Sequence, residues 1–253
     1  MNVLAIGYSK HLFKRADAER ARLVECAKTA GVLHMVIFTH ASECFSNETI
    51  DGVLHLHPTN SRLGFMKFFN AIGIAWRIIR SERKAPWVIT AQDPFEAGLA
   101  ASFLSAVLRV PYNLQEHGDF FSTPHWKAES FRNRVRAAIG KTLLQEADSV
   151  RVVSKRVRET MQSLGVPKSH LHQLPVTVDT ARFSTASPRP ELIPDYAPHK
   201  RYILTVGRFV KQKNLPLLIR AFARVRGYHT EAELIIVGKG PEQSHIQKVI
   251  HEV

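Results

Sequence analysis

The sequence predicts an α/β fold built on a doubly wound, Rossmann-like parallel sheet, and three observations predict it. Short apolar runs alternate with helical patterns along nearly all of the 253 residues. Most of these runs are continuous rather than alternating, which is typical of parallel strands covered on both faces. A hydrophobic content of 45% supplies a sizeable core and argues against a disordered chain.

Eight runs have the length and composition of buried strands. In chain order they are Val3–Ile6, Leu33–Thr39, Val53–Leu56, Trp87–Thr90, Tyr112–Gln115, Ser149–Val153, Tyr202–Val206 and Glu233–Val237. Helical patterns lie between them. The segment His11–Ala30 is predicted as the first helix, a basic helix follows Ser154, and a third covers Leu215–Val225. The stripe of the first helix is Leu12, Ala16, Leu23 and Ala27.

The segment Leu63–Arg80 has two interpretations. It is apolar except for a narrow polar stripe at helical spacing, so it fits a helix buried against the first sheet. The same pattern fits a helix that lies on an anionic membrane, which would make the protein peripheral to that membrane. The sequence leaves both open.

A domain boundary is predicted at Thr185–His199, which contains four prolines and no clear periodicity. We expect a Rossmann-like first domain over residues 1–184, a linker over 185–199, and a partial second domain over 200–253. The last segment has room for only strand, helix, strand and helix, so the chain is expected to stop within a fold.

Composition limits the classes of function. The formal net charge is +13, and residues 200–226 contain eight basic and no acidic side chains. Such a surface attracts the phosphates of nucleotides, nucleic acids or anionic lipids alike. No recognition-helix, zinc or stacking-aromatic signature supports specific nucleic-acid binding. Only Cys26 and Cys44 occur, without metal-type spacing, and this favours the cytoplasm.

The residues that indicate a binding function lie in two glycine turns, each between a strand and a helix. In Thr205–Asn214, Gly207 permits a tight turn, and Arg208 and Lys213 stand beside the start of the next helix. Helix N–H groups and two cations suit a diphosphate, although a solvated basic loop is the alternative. In the second turn, Val237–Glu242, Gly238 and Gly240 permit close approach to the backbone.

The string VGRFVKQKN, followed by a helix and ELIIVGKGPE, resembles the nucleotide-binding domain of retaining glycosyltransferases of family 4, which have the GT-B fold. Four segments of the first domain are similar to that family in their order: Ala91–Gly98, Glu116–Asp119, Ala147–Ser154 and Leu174–Asp179. The resemblance therefore covers almost the whole chain.

This resemblance implies a role for each matching residue. Arg208 and Lys213, with Gly207, would bind the donor diphosphate, and His117 would be the catalytic residue that contacts the transferring sugar. For His117 the alternative is a loop histidine bonded to neighbouring backbone. Gly7, Gly238 and Gly240 would let the donor or acceptor approach the backbone. Asp93 and Asp119 are expected to cap turns after strands.

The implied reaction is transfer of a sugar from a nucleotide sugar to a hydroxyl acceptor with retention. The acceptor would be a saccharide or a lipid-linked molecule, as in cell-envelope polysaccharide synthesis. The protein would need no cofactor and no metal.

The sequence also departs from the family. Val176 and Thr177 stand where it usually has asparagine and glycine, and its paired glutamates have no counterpart in the thirteen residues after Gly240. We therefore expect this chain to be truncated and not to turn over. The alternative functions are a non-catalytic acceptor- or anion-binding module, or one half of a split glycosyltransferase.

Overall fold

A computed structural model describes residues 1–14, 17–176, 178, 180–185, 187, 189–193 and 195–253, apart from the side chains of residues 17, 124, 125 and 182. The chain divides into two compact units, residues 1–178 and residues 179–253. Each unit has its own sheet and its own core.

The first unit is built on one eight-stranded sheet. Its strands are β1 Asn2–Gly7, β2 Val32–Ile37, β3 Glu48–Ile50, β4 Leu54–Pro58, β5 Trp87–Ala91, β6 Tyr112–Glu116, β7 Ser149–Val152 and β8 Leu171–Gln173. They lie in the order β3-β4-β2-β1-β5-β6-β7-β8. All are parallel except β3, which runs antiparallel to β4. The strand order reverses between β1 and β5, so the crevice where ligands bind in such sheets opens there.

Helices cover both faces of this sheet. Within the described residues, the helices of the first unit are α1 Asp17–Ala30, α2 Met66–Ser81, α3 Glu96–Leu108, α4 Pro124–Ala128, α5 Phe131–Glu146 and α6 Lys155–Ser163. Those of the second unit are α7 Ala181–Ser184, α8 Leu215–Arg226 and α9 Gln243–Glu252. On β1, Ala5 belongs to the core cluster under α1, whereas Leu4 and Ile6 belong to the cluster under α2, α3 and α5. Alternate side chains of a strand point to opposite faces, so β1 is buried on both.

The second unit is smaller and more open. Its strands β9 Arg201–Val206 and β10 Ala232–Val237 are parallel neighbours. Its core consists of Phe209, Leu215, Ile219, Ile246 and Val249. Apolar side chains of β9, including Leu204 and Val206, remain exposed, because two strands offer little sheet to pack against.

The structure confirms the predicted fold class and contains all eight predicted strands. The sequence missed β3 and β8, each only three residues long. The first helix was also placed wrongly, because α1 begins at Asp17, and Leu12 lies instead in a short 3₁₀ turn over Lys10–Lys14. Ala16 of the predicted stripe lies outside the described residues.

One face of β6 and of β7 is polar, so these two strands are exceptions to the continuous apolar runs. Asn113 and Gln115 alternate with the buried Tyr112 and Leu114. Thr90 donates to the Asn113 side-chain oxygen at 3.1 Å and accepts from the Gln115 amide at 3.0 Å. These bonds connect β5 to β6 through side chains as well as backbone. Thr90 and Gln115 lie near the carboxyl ends of the two strands.

Candidate functional site

At the carboxyl edge of the first sheet, Gly7 ends β1 directly beside Gln92, which follows β5. A Cβ on Gly7 would overlap the side-chain amide of Gln92. The Gln92 oxygen accepts a hydrogen bond from the Tyr8 amide at 2.9 Å, so this side chain bridges the two strand ends. A glycine at position 7 is therefore needed for that bridge. Its predicted role in ligand approach remains a prediction.

A cavity of about 480 Å³ lies at this edge, lined in part by Tyr8, Gln92, Asp93, Glu96 and His117. It occupies the place that the reversal of strand order predicts. Gly7 lies against Gln92, which lines the cavity. The structure thus brings the predicted residues Gly7 and His117 to the same edge of one sheet.

His117 is exposed and hydrogen-bonds a side chain rather than the backbone. Its Nε2 lies 2.9 Å from the side-chain oxygen of Gln115, and the guanidinium of Arg151 donates to the same oxygen at 3.2 Å. A carbonyl oxygen only accepts, so this arrangement places the imidazole hydrogen on Nε2 and leaves Nδ1 as the acceptor nitrogen. Partial burial, followed by the charge of Arg151, lowers the pKa of His117, which favours the neutral imidazole.

Asp93, Glu116 and Asp119 place three carboxyl groups at or just after the ends of β5 and β6. Asp93 accepts from the Phe95 amide at 2.7 Å, as expected of a turn cap, and burial raises its pKa to about 6. Asp119 was expected to cap a turn as well, but its carboxylate pairs with Arg156 at 2.7 Å. Glu116 is completely buried, and the sequence analysis assigned it no role.

Glu116 has the most strongly perturbed carboxyl group of the three. Burial raises its pKa to about 8, the negative charges of Asp119 and Asp93 add to that effect, and the Phe120 amide offsets it in part. Neither carboxyl oxygen has a hydrogen bond of normal geometry to any described residue. A buried carboxyl without such partners favours its neutral form. The signal available in the sequence was its position as the last residue of a buried strand.

A second group missed by the sequence analysis is the ion pair of Glu96 with α5. Arg136 bonds Glu96 at 2.5 Å, and Arg132 bonds it at 2.9 Å. Burial acts to raise the pKa of Glu96, but the hydrogen bonds from these two arginines outweigh it and hold the pKa below its usual value. Glu96 is therefore ionised at neutral pH and fixes the start of α3 against α5.

In the second unit, the predicted diphosphate residues meet at the end of β9. Gly207, Arg208 and Lys213 all line one small cavity of about 80 Å³. The open side of Gly207 faces the Lys213 side chain, whose Cε is 3.9 Å from the place a Cβ would take. Both cations are exposed, and within the described part of the chain neither forms an ion pair. Two uncompensated cations beside a helix start are suited to an anion.

The second glycine turn packs directly on the first. A Cβ on Gly238 would overlap the carbonyl of Gly207, and its φ of +159° is a conformation that other residues rarely adopt. A Cβ on Gly240 would overlap the Phe209 backbone. The Phe209 amide also donates to the Lys239 carbonyl at 2.9 Å. These two glycines therefore let one backbone approach another, and their predicted contact with a ligand stays a prediction.

The described residues contain no group of three or more His, Cys, Asp or Glu side chains placed to hold a metal ion. Within the same residues, no helix combines the length and the apolar composition needed to cross a bilayer. Of the segment Leu174–Asp179, residues 177 and 179 lie outside what the structure describes.

Comparison with known proteins identifies related chains. The sequence profile described as Glycosyltransferase Family 4 matches residues 21–182, and the profile described as Glycosyl transferases group 1 matches residues 191–253. A curated relative, the uncharacterized glycosyltransferase YqgM of Bacillus subtilis (strain 168), is 24% identical over 204 residues, which are 76% of this chain and 52% of the relative. The chain therefore spans about half the length of this relative.

Solved structures share the fold at low identity. HepE of Anabaena, solved in complex with UDP, is 15% identical with a TM-score of 0.66, and the match covers 100% of this chain and 65% of HepE. Sucrose-phosphate synthase of Thermosynechococcus elongatus is 17% identical with a TM-score of 0.67, covering 100% and 67%. UDP-GlcNAc 2-epimerase of Neisseria meningitidis, bound to UDP-GlcNAc, is 10% identical with a TM-score of 0.57, covering 100% and 69%.

Gly238→Ala should destabilise the second unit, because the new methyl group meets the Gly207 carbonyl and the residue must keep a strained φ. We expect a loss of at least ~1 kcal/mol in the free energy of unfolding, measured by urea denaturation. The control is Gly227→Ala, a glycine with φ of −61° whose nearest neighbouring atom would be 3.4 Å from the new Cβ. Equal stability of the two variants would show that the turns are not in close contact.

Glu116→Gln should change how stability depends on pH. The pKa of Glu116 is raised above its unfolded value, so its contribution is fully present below about pH 4.5 and is lost as pH rises towards 8. Wild-type stability relative to the variant should therefore fall between those limits. The measurement is thermal unfolding across this pH range, with the exposed Glu129→Gln as control. Parallel curves for wild type and Glu116→Gln would refute the raised pKa.

Proposed function

The chain belongs to glycosyltransferase family 4, and on that premise we propose that it serves to transfer a sugar from a nucleotide-sugar donor to a hydroxyl acceptor. The observation that carries the proposal is the meeting of Gly207, Arg208 and Lys213 around one cavity at the end of β9. The proposed acceptor is a saccharide or a lipid-linked molecule of cell-envelope polysaccharide synthesis. The proposed cellular location is the cytoplasm, including the inner face of the membrane.

The cavity is suited to the diphosphate of the donor. Among the residues that the structure describes, those lining it include Arg208 and Lys213 and no acidic side chain, so the lining attracts an anion. Departure of a nucleoside diphosphate places negative charge on its oxygens, and cations already held in place stabilise that charge without reorganisation. The structural neighbour HepE was solved with UDP and glucose, which supports a nucleoside diphosphate as the first ligand to try.

His117 is the proposed contact of the transferring sugar. Its exposed ring donates from Nε2 to Gln115 and has a lowered pKa, so Nδ1 offers a neutral acceptor rather than a cation. A neutral group can hydrogen-bond a sugar hydroxyl without opposing the positive charge that develops at the anomeric carbon. We propose front-face departure: the bond between the anomeric carbon and the donor phosphate breaks, the acceptor oxygen bonds that carbon on the same face, and the leaving phosphate takes the hydroxyl proton. Such a step gives retention without a protein nucleophile, and the proposal includes no cofactor and no metal.

A second candidate function is a non-catalytic acceptor- or anion-binding module, or one half of a split glycosyltransferase. The open sheet of the second unit favours it, because Leu204 and Val206 on β9 are exposed. Release of nucleoside diphosphate from a panel of nucleotide sugars separates the two candidates. Multiple turnover that is abolished by His117→Ala supports the transferase and would overturn the expectation that this chain does not turn over. Donor binding without release agrees with that expectation and supports the module.

Arg208→Ala should weaken UDP binding by the ~1.5–3 kcal/mol typical of a charged hydrogen bond. Arg208 lines the cavity, and a planar guanidinium can donate two parallel hydrogen bonds to phosphate oxygens. Isothermal titration of UDP against wild type and variant measures the effect. Arg224→Ala is the matched control, since Arg224 is an exposed arginine of α8 outside the cavity.

Two results would remove the site assignment. One is equal affinity of wild type and Arg208→Ala for UDP, which would show that the guanidinium does not touch the ligand. The other is an equal loss in Arg224→Ala, which would show that only general positive charge matters.

A further inference from the structure

A row of polar side chains crosses three neighbouring parallel strands of the first unit and reaches His117. Its members alternate with buried residues, so they share one face of the sheet. They are Thr90 of β5, Asn113 and Gln115 of β6, and Ser149 and Arg151 of β7. The strand register pairs Gln115 directly with Arg151. His117 follows Gln115 by two residues, the spacing that keeps side chains on the same face of a strand.

The partners of Gln115 determine which way its side-chain amide points. An arginine only donates hydrogen bonds, so the Gln115 atom that lies 3.2 Å from the Arg151 guanidinium is the oxygen. The amide nitrogen then donates to the Thr90 hydroxyl at 3.0 Å. Arg151 is held in turn, because its Nε donates to the Leu174 carbonyl at 3.3 Å. The Gln115 amide is therefore fixed from both neighbouring strands.

This orientation decides where the imidazole of His117 carries its hydrogen. The Gln115 oxygen has two lone pairs, of which one accepts from Arg151 and the other lies 2.9 Å from Nε2 of His117. A ring nitrogen that bonds a carbonyl oxygen must be the donor, so Nε2 carries the hydrogen and Nδ1 is the acceptor. Arg151 thus acts on the tautomer of His117 through Gln115, from the next strand of the sheet.

The positive charge of Arg151 acts on His117 as well. Asp93, Glu96 and Arg136 also line the cavity that His117 lines. Partial burial and the charge of Arg151 lower the pKa of His117, so the neutral ring is favoured. An imidazole must be neutral to have an acceptor nitrogen, so the same arginine supports both the charge state and the tautomer.

We propose that Gln115 and Arg151 are positioning residues for His117, which hold its ring hydrogen on Nε2 so that Nδ1 can only accept a hydrogen bond. Such a nitrogen binds a group that has a hydrogen to donate, for example a sugar hydroxyl, and disfavours a carbonyl or carboxylate oxygen. This use of the arrangement rests on the proposed function, because that function brings a sugar to His117. The tautomer itself is a property of the chain without ligand.

NMR of the ¹⁵N-labelled whole chain tests the positioning directly, with the ring nitrogens of His117 identified by the loss of their signals in His117→Ala. In the wild type we expect one protonated nitrogen, Nε2, and one unprotonated nitrogen, Nδ1. Gln115→Leu removes the acceptor, so the two tautomers should mix and the two nitrogen shifts should approach each other. Gln115→Glu keeps an acceptor and adds a negative charge, so the tautomer should persist while the pKa of His117 rises.

Arg151→Met tests the second positioning residue. Loss of the cation should raise the pKa of His117 towards its ordinary value, and the Gln115 amide becomes free to turn, so both tautomers should appear. Arg83→Met is the matched control, since it removes an exposed arginine before the start of β5, at the opposite edge of the sheet, and it should change neither property. Circular dichroism verifies folding, and Gln115→Glu keeps the test decisive if Gln115→Leu unfolds.

Three results would overturn the proposal. They are a wild-type His117 that carries its hydrogen on Nδ1 or populates both tautomers, a pKa of His117 that is unchanged in Gln115→Glu, and equal effects of Arg83→Met and Arg151→Met. A merely structural role of the polar row would not make Gln115→Glu change the pKa of His117 while Gln115→Leu changes its tautomer.

Titration with UDP-glucose separates this proposal from the proposed function. UDP-glucose should shift the Nδ1 signal of His117, whereas UDP at the same concentration should not. Binding of UDP-glucose that leaves Nδ1 unchanged would contradict the hydroxyl contact. Absence of any UDP-glucose binding would count against the proposed function alone, because the tautomer and the pKa of His117 decide the positioning role without a ligand.

Discussion

The candidate donor site depends on a contact between two backbones. Gly238 and Gly240 have no side chains, so the turn after β10 can lie against the Gly207–Phe209 backbone at the end of β9. The Glu242 amide donates to the Phe209 carbonyl at 3.1 Å and closes the contact from the other side. The described residues of this unit form two strands and a small core, so we infer that this contact holds the backbone from which Arg208 projects. Any larger residue at either glycine would separate the turns and with them the cations.

In the first unit a different constraint organises the site. The sheet places the ends of β1, β5 and β6 next to each other, so polar groups far apart in the chain meet at one edge. There the structure keeps one carboxyl group ionised and favours the neutral form of another. Glu96 stays ionised because two arginines bond it, whereas Glu116 has a raised pKa because it is buried among other acids. His117 lies at this edge with its ring oriented through Gln115 and Arg151.

Sequence reasoning was effective where local patterns determine structure. Continuous apolar runs gave the strands, and Ser154 was correctly placed before a helix, where its hydroxyl accepts from the Val157 amide. It missed β8 because three residues carry too little periodicity. It misplaced the start of α1 because the 3₁₀ turn Lys10–Lys14 buries Leu12, as the first turn of an α-helix would.

For the sites, the sequence could name Arg208, Lys213 and Gly207 because strand, turn and helix follow one another directly. It could not show that Gly238 and Gly240 contact the first turn, since that depends on the pairing of β10 with β9. Nor could it find the Gln92 bridge over Gly7, which joins residues 85 positions apart in numbering through the β1–β5 pairing. Long-range strand pairing is what these features share and what a single sequence does not contain.

The most direct test of the central claim is amide hydrogen exchange of the whole chain with and without UDP. If the paired glycine turns hold a diphosphate, UDP should slow exchange at residues 207–213, at 238–240 and in the first turn of α8. Uridine at the same concentration carries no phosphate and should leave those amides unchanged. Protection by uridine equal to that by UDP, or protection by neither, would contradict a diphosphate site built from these two turns.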